Sequence, residues 1–338
     1  MKKLLVVYTG GTIGMLRNNE GTLVPFEFSF IYKYLPVIKD LNVELSYITL
    51  NPIIDSSNLN TEIILKILEI IENNYHLYNG FIILHGTDTM AYTASALSFL
   101  IENLKKPIIL TGSQLPISLV RTDAKENFLT SIIIASETIN NYPVVPEVCI
   151  FFENKLFRGN RTIKYSSKHF NAFISPNYPE LAYAGIEIEY NLKNIIVPNY
   201  KSKTIFYKKL CNDIGVLYLF PGIKEEYIKS IIDSDLKAIV LLTYGSGNAP
   251  TYRWFIEILK KGIINKKIIV NVSQCIEHYV KQGGYETSKF LRDIGVIECK
   301  DMTTEAVITK LMFLLGNYDN IEFIKEQITK NLRGELTE

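Results

Sequence analysis

Short apolar runs alternate with longer segments of helical periodicity along most of the chain. Five apolar runs in the first half predict strands, at residues 4–8, 43–50, 81–84, 107–110 and 148–152. Apolar residues spaced three and four apart predict helices between them, at residues 61–75, 87–104 and 123–139. This alternation of strands and helices favours a parallel sheet covered by helices.

The pattern breaks at residues 191–212 and then resumes. That stretch is rich in lysine and has no long apolar period, so it is interpreted as a solvated linker or a basic patch. Beyond it, strands are predicted at 216–220, 238–243 and 267–272, and helices at 224–232, 250–261, 304–315 and 320–331. We therefore expect a two-domain α/β protein, with a larger N-terminal, mostly parallel sheet domain (1–190), a linker (191–212) and a smaller C-terminal α/β domain (213–338).

Composition narrows the class of protein. The chain has 338 residues, 47% of them hydrophobic, and a formal net charge of +1, which gives no electrostatic reason to expect nucleic acid or an anionic membrane as partner. No apolar stretch reaches the roughly 20 residues of a membrane span, and the first apolar run is too short for a signal peptide. The four cysteines form no Cys-x-x-Cys pair, so we expect reduced thiols in a cytoplasmic protein and no structural zinc.

Two glycine- and threonine-rich turns follow predicted strands, Thr9-Gly10-Gly11-Thr12 and His85-Gly86-Thr87-Asp88. Turns at the carboxyl ends of parallel strands can converge on one ligand. A threonine hydroxyl such as that of Thr12 can act as a nucleophile if a base takes its proton, and glycines let the substrate approach closely. The same turn also fits a plain strand exit or a phosphate cradle, although it lacks the lysine of a P-loop.

Other polar residues supply candidate partners, each with a structural alternative. Thr87 and Asp88 suit the first turn of the predicted helix 87–104, or proton handling and capture of a substrate ammonium. His85 is either a base or a packed side chain. Lys164 can act as a base only if burial or nearby positive charge lowers its pKa. The segment Asp55-Ser56-Ser57 is an ordinary polar turn or a site for ammonium or carboxylate.

These motifs together resemble the bacterial L-asparaginases, and among them the cytoplasmic type I enzymes, from end to end. The matching segments are residues 8–15, 83–99, 158–162, 244–250, 283–285 and 331–337. The resemblance implies hydrolysis of L-asparagine to L-aspartate and ammonia by a homodimer or homotetramer, with no metal or organic cofactor.

The resemblance also implies roles for individual residues. Thr12 is expected to be the nucleophile, and Thr87, Asp88 and Lys164 are expected to activate a nucleophile or the hydrolytic water. The implied substrate-binding set is Gly11, Asp55, Ser56, Ser57, Gly86, Thr87, Asp88 and, from a neighbouring subunit, Asn248. Ser273, Gln274 and Cys275 resemble part of an effector site that binds asparagine in some type I enzymes.

The chain departs from the family pattern at two positions. Thr22 follows Gly21 where a tyrosine that closes over the substrate is expected, and the nearest tyrosine downstream is Tyr32. Leu242 stands where an effector-binding arginine is expected.

The alternatives to an asparaginase are the asparaginase-like subunit of a tRNA-dependent amidotransferase, a nonhydrolytic amino-acid sensor and a nucleotide-binding module. The amidotransferase subunit is disfavoured because its extra N-terminal region has no room before residue 9. Glutamine preference also stays open, because one methylene is worth only about 1–3 kcal/mol in a pocket.

Overall fold

The apolar runs of the first half become the inner strands of an eight-stranded sheet. The computed structural model describes residues 1–17, 23–25 and 34–338, which divide into two units, Met1–Lys208 and Lys209–Glu338. Among the described residues of the first unit, the helices are α1 (Thr61–Asn74), α2 (Met90–Leu100) and α3 (Ala124–Ser136). Its strands are β1 (Lys2–Gly10), β2 (Met15–Arg17), β3 (Leu23–Pro25), β4 (Val43–Ile54), β5 (Gly80–Leu84), β6 (Ile101–Glu102), β7 (Ile108–Thr111), β8 (Thr138–Ile139), β9 (Tyr142–Pro143), β10 (Val148–Phe152), β11 (Lys155–Arg158), β12 (Ile163–Lys164), β13 (Phe173–Ile174), β14 (Ala182–Ala184), β15 (Ile188–Tyr190) and β16 (Ile205–Phe206).

The order of the strands places a ligand crevice at the end of β1. The order is β15-β14-β11-β10-β7-β5-β1-β4, in which β4, β1, β5, β7 and β10 are parallel and the remaining pairs antiparallel. Within this sheet the chain leads from β1 to β4 on one side and from β5 to β7 on the other, so the direction of the connections reverses between the adjacent strands β1 and β5. Ligands of open α/β sheets bind at the carboxyl ends of strands at such a switch point. The mostly parallel sheet covered by helices is confirmed.

Burial explains why these runs are nearly continuous in apolar residues. Side chains 4–8 of β1 and 81–84 of β5 are at most 2% exposed, because helices cover both faces of the sheet. Helix α1 instead buries one stripe, formed by Ile64, Ile67, Leu68 and Ile71. This stripe matches the helical spacing in the sequence.

The helix predicted over residues 87–104 is wrong at both ends. Helix α2 covers only Met90–Leu100, and residues 101–102 form β6, which pairs with β16. Thr89 occupies the N-cap position, but its hydroxyl donates to the Ser56 carbonyl at 2.7 Å and not to the helix. Thr87 and Asp88 therefore precede the helix and do not belong to its first turn.

The second unit repeats the α/β alternation on a smaller scale. Its parallel sheet has the order β17 (Ile214–Tyr218), β18 (Ala238–Thr243), β19 (Ile268–Ser273) and β20 (Ile297–Glu298). Its helices are α4 (Glu225–Ile232), α5 (Arg253–Ile264), α6 (Glu286–Ile294), α7 (Thr304–Asn317) and α8 (Ile321–Thr329). A smaller C-terminal α/β domain is thus confirmed as a fold. Within the described ranges, no helix has the length and apolar character needed to cross a bilayer.

Candidate active site

Three loops meet at the carboxyl ends of β1, β4 and β5. Gly11, with φ +87°, lies so close to the next loop that a Cβ there would fall 2.6 Å from the Gly86 Cα. A Cβ on Gly86 would in turn fall 2.7 Å from the Ser56 Cβ. The glycine at 11 thus lets two backbones touch, and the glycine at 86 leaves room for the Ser56 side chain of the third loop.

Thr12 stands at the start of a short turn on this edge of the sheet. It is the first residue of the 3-10 turn Thr12–Gly14, which directly follows β1. Ile13 and Gly14 are buried, whereas Thr12 remains partly exposed. The hydroxyl-bearing residue is therefore open to a ligand, while its two successors anchor the turn in the protein.

Lys164 connects the hydroxyl and the carboxylate of the β5 loop. Its ammonium donates to Thr87 Oγ1 at 2.7 Å and to Asp88 Oδ1 at 2.6 Å. The Lys164 side chain is 18% exposed and that of Asp88 is 63% exposed. Asp88 thus stands at the solvent side of the group, where it can also meet a charged substrate.

A buried ion pair holds the segment that carries Lys164. Arg158 donates from Nε to Glu147 at 2.6 Å and from Nη2 to the second carboxylate oxygen at 3.2 Å, with both side chains almost completely buried. The Thr162 hydroxyl donates to the Arg158 carbonyl at 2.7 Å. Two residues later Lys164 pairs with Phe173 in the β12–β13 hairpin. The buried ion pair fixes the start of this segment, and the hairpin pairing fixes the strand that carries Lys164, so both together position the lysine.

The β4 loop presents a carboxylate beside these groups. Asp55 accepts hydrogen bonds from the Ser57 backbone N–H at 2.9 Å and from the Ser57 hydroxyl at 2.8 Å. These bonds, the backbone one foremost, lower the pKa of Asp55, so the carboxylate is ionised at neutral pH. Asp55 and Ser57 are exposed, and Ser56 is buried against Gly86.

His85 is a packed side chain and not a base. Its Nδ1 lies 2.7 Å from the Gly86 carbonyl and its Nε2 lies 2.9 Å from Thr93 Oγ1. A carbonyl only accepts, so Nδ1 carries the proton and Nε2 accepts from the threonine. Burial lowers the pKa of His85 to about 4. A neutral imidazole with both nitrogens occupied has no capacity left for catalysis.

Sequence reasoning missed two contacts that tie the loops together. The Thr89 hydroxyl joins the β5 loop to Ser56, as described above. Gln114, in the loop after β7, donates from Nε2 to the His169 carbonyl at 3.1 Å and so joins that loop to the hairpin of Lys164. Both residues lie in loops at carboxyl ends of parallel strands, and their place shortly after the apolar runs 81–84 and 107–110 was the signal that could have found them.

The remaining predicted residues belong to the second unit. Asn248 Oδ1 accepts from the Thr287 hydroxyl at 3.0 Å, and this bond does not use the Nδ2 hydrogens. In the strip predicted as an effector site, Gln274 Nε2 donates to the Leu219 carbonyl at 2.7 Å and to the Leu242 carbonyl at 2.9 Å. The Ser273 hydroxyl donates to the Gly245 carbonyl and accepts from the Cys275 N–H. These polar groups organise the backbone around them.

Two further predictions concern a bound metal and the tyrosine that is expected to close over the substrate. The described part of the chain contains no cluster of three or more His, Cys, Asp or Glu residues suited to a metal ion. The departure at Thr22 and the next tyrosine, Tyr32, lie outside the described residues.

The fold and site define a two-domain α/β protein with a threonine turn and a lysine–threonine–aspartate group. The family model "Asparaginase, N-terminal" matches residues 3–196, and the model "Glutaminase/Asparaginase C-terminal domain" matches residues 213–328. The chain therefore belongs to the asparaginase family.

Full-length relatives agree with this assignment. The chain is 41% identical to L-asparaginase 1 of Escherichia coli over 99% of its own length and 98% of that protein. The structure of L-asparaginase I from Vibrio cholerae superposes with a TM-score of 0.89 at 39% identity, covering 99% of both chains. The thermostable L-asparaginase of Thermococcus kodakarensis gives a TM-score of 0.90 at 31% identity, again over 99% of both chains.

Proposed function

We propose that this protein is an L-asparaginase that hydrolyses L-asparagine to L-aspartate and ammonia through a threonyl ester. The observation that carries the proposal is the contact of Lys164 with both Thr87 and Asp88, at the loop against which the Thr12 turn packs. A binding protein needs a carboxylate for the substrate ammonium, but neither an exposed hydroxyl in a glycine turn nor a lysine bound to a second hydroxyl.

In the first step Thr12 attacks the side-chain amide carbon of asparagine. The bond from Thr12 Oγ1 to that carbon forms, and the bond from the carbon to the amide nitrogen breaks. The threonine proton ultimately leaves with the ammonia. We assign stabilisation of the oxyanion of the tetrahedral intermediate to backbone N–H groups of the glycine turn other than that of Gly14, which donates to the Gly11 carbonyl.

Thr87 and Lys164 provide a route for the proton. Lys164 can accept a proton from Thr87, whose oxygen then takes one from the attacking group, once the lysine has released the ammonium proton that it donates to Thr87 in the structure. Asp88 holds the lysine nitrogen at 2.6 Å and so keeps it beside the threonine. In the second step the same pair activates a water molecule, which cleaves the ester and releases aspartate.

Substrate recognition uses the rim of the site. The carboxylates of Asp55 and Asp88 are exposed and suited to the α-ammonium group. Ser56 and Ser57, with the backbones of Gly11 and Gly86, are proposed to contact the α-carboxylate and the amide. This division places the charged groups of an amino acid at the surface and its amide near the hydroxyls.

The assembly and location belong to the same proposal. We propose a cytoplasmic homodimer or homotetramer in which Asn248 of one subunit completes the site of its neighbour. The Nδ2 hydrogens of Asn248, which the bond from Thr287 does not use, support this role because they suit a carboxylate oxygen. Size-exclusion chromatography with light scattering tests the assembly, and a monomer with full activity would contradict it.

Ammonia release by the purified protein tests the activity. We expect release from L-asparagine, and more slowly from L-glutamine, without ATP, tRNA or a partner protein. Release only with a partner would identify an amidotransferase subunit. Thermal stabilisation by aspartate without turnover would identify a sensor, and stabilisation by nucleotides alone would identify a nucleotide-binding module.

A further inference from the structure

The turn that begins at Thr12 is held by its carbonyl groups, all of which are paired. Three of the four carbonyl oxygens from Gly11 to Gly14 accept backbone N–H groups, in the pairs Gly11 O with Gly14 N at 3.3 Å, Thr12 O with Met15 N, and Ile13 O with Ile117 N at 3.4 Å. The fourth, that of Gly14, accepts from the Tyr8 hydroxyl at 3.0 Å. Tyr8 thus provides a side-chain anchor that a mutation can remove without touching the backbone.

Tyr8 is itself fixed in the core of the sheet. It lies on β1, four residues before Thr12, and is 1% exposed. Its ring packs against Gly14, where a Cβ would fall 2.6 Å from Tyr8 Cε2. Burial raises the pKa of Tyr8 to about 12, so the phenol keeps its proton and remains a donor at every pH at which the enzyme would work.

We propose that Tyr8 is a positioning residue that sets the orientation of Thr12 through the Gly14 carbonyl. The inference rests on the proposed role of Thr12 as nucleophile. Gly14 ends the turn that Thr12 begins, and rotation of its carbonyl would reorient the peptide planes between them. A nucleophile misplaced by about 1 Å can cost 10²-fold in rate, because the reacting atoms must meet in a narrow range of geometries.

Replacement of Tyr8 by phenylalanine tests the proposal because it keeps the ring and removes only the hydroxyl. In Tyr8→Phe we expect kcat for L-asparagine to fall about 10- to 100-fold while KM changes by less than about threefold. A loss confined to melting temperature, with kcat unchanged, would overturn the proposal. If part of the variant is misfolded, kcat is normalised to the fraction that binds L-aspartate in a calorimetric titration.

Tyr75 supplies a matched control in the same unit. Its hydroxyl is also hydrogen-bonded, since it accepts from the Lys105 N–H at 3.0 Å and contacts Thr204 Oγ1 at 3.3 Å. Unlike Tyr8, however, Tyr75 precedes the amino end of a strand, β5. Tyr75→Phe should lower stability and leave kcat unchanged. An equal fall of kcat in both variants would mean that loss of a tyrosine hydroxyl lowers activity by destabilising the fold in general, and it would overturn the proposal.

Thr12→Ala separates this inference from the function on which it rests. If Thr12→Ala is inactive and Tyr8→Phe has normal kcat, the positioning role fails and the proposed function stands. If Thr12→Ala retains normal kcat, Thr12 is not the nucleophile and the proposed mechanism itself fails.

Discussion

The backbone of Gly11 lies directly against that of Gly86, with no space for a side chain on either. A Cβ on Gly11 would fall 2.6 Å from both Cα and N of Gly86. These residues adjoin Thr12 and Thr87, so the contact sets the distance between the two hydroxyl-bearing loops. The site therefore depends on two glycines that carry no reactive group.

Gly11→Ala should separate the loops and abolish activity, and Gly222→Ala is its control. Gly11 has φ +87° and Gly222 has φ +88°, but a Cβ on Gly222 meets nothing within 4 Å. The positive φ disfavours alanine at both positions, so Gly222→Ala controls for that part of the effect, whereas only at Gly11 does the Cβ also meet the backbone of another loop. We expect kcat/KM to fall at least about 100-fold in Gly11→Ala and to remain normal in Gly222→Ala. Similar activity in the two variants would show that the close approach of the loops is dispensable.

Lys164 should be required as a base and not only as a positive charge. Lys164→Met and Lys164→Arg are both expected to lower kcat by about 10²- to 10⁴-fold, because arginine keeps the charge but does not give up its proton. Lys155→Met is the control. Lys155 forms an ion pair with Glu180, at an N–O distance of 2.7 Å, and has no part in the proposed chemistry. Recovery of activity in Lys164→Arg would assign the lysine an electrostatic role and contradict the proton route.

His85 should make the stability of the protein depend on pH in mildly acidic solution. Its pKa is about 4 when folded and 6.5 for an ordinary histidine, so between these values only the unfolded chain binds the proton. The free energy of unfolding should therefore rise as pH rises from 4 to 6.5, by up to about 3 kcal/mol from this group. Denaturant unfolding of wild type and His85→Gln across this range measures the difference. If the two curves run parallel, His85 is not the buried neutral group described here.

The strip Ser273–Gln274–Cys275 should not produce cooperative kinetics. Both Nε2 hydrogens of Gln274 are used on backbone carbonyls, and Leu242 stands where the family resemblance places an effector-binding arginine. We expect the initial rate to depend hyperbolically on the asparagine concentration. A sigmoidal curve that becomes hyperbolic in Gln274→Ala would show that an effector site operates without the arginine.

The inner strands were predictable because burial on both faces makes them continuous apolar runs, as in residues 81–84. Helix α6 was missed because it is only nine residues long and its apolar side is limited to Phe290, Leu291 and Ile294. The antiparallel strands β11, β14 and β15 were missed because they are only three or four residues long.

The candidate site was predictable in its residues but not in its contacts. Glycine and threonine turns after apolar runs identified the loops of Thr12 and Thr87. The 2.7 Å bond from Lys164 to Thr87 joins residues 77 positions apart, and the strand order that creates it leaves no local period in the sequence. The helix-cap interpretation of Thr87 and Asp88 failed because Thr89, and not either of them, occupies the cap position.

Everything proposed here requires that the hydroxyl at position 12 forms a covalent bond with the substrate. The most direct measurement is the rate of ammonia release from L-asparagine by wild type and Thr12→Ala, both shown to bind L-aspartate. We predict that kcat of the variant falls by several orders of magnitude while L-aspartate still binds. A variant that binds aspartate and releases ammonia at close to the wild-type rate would contradict the account.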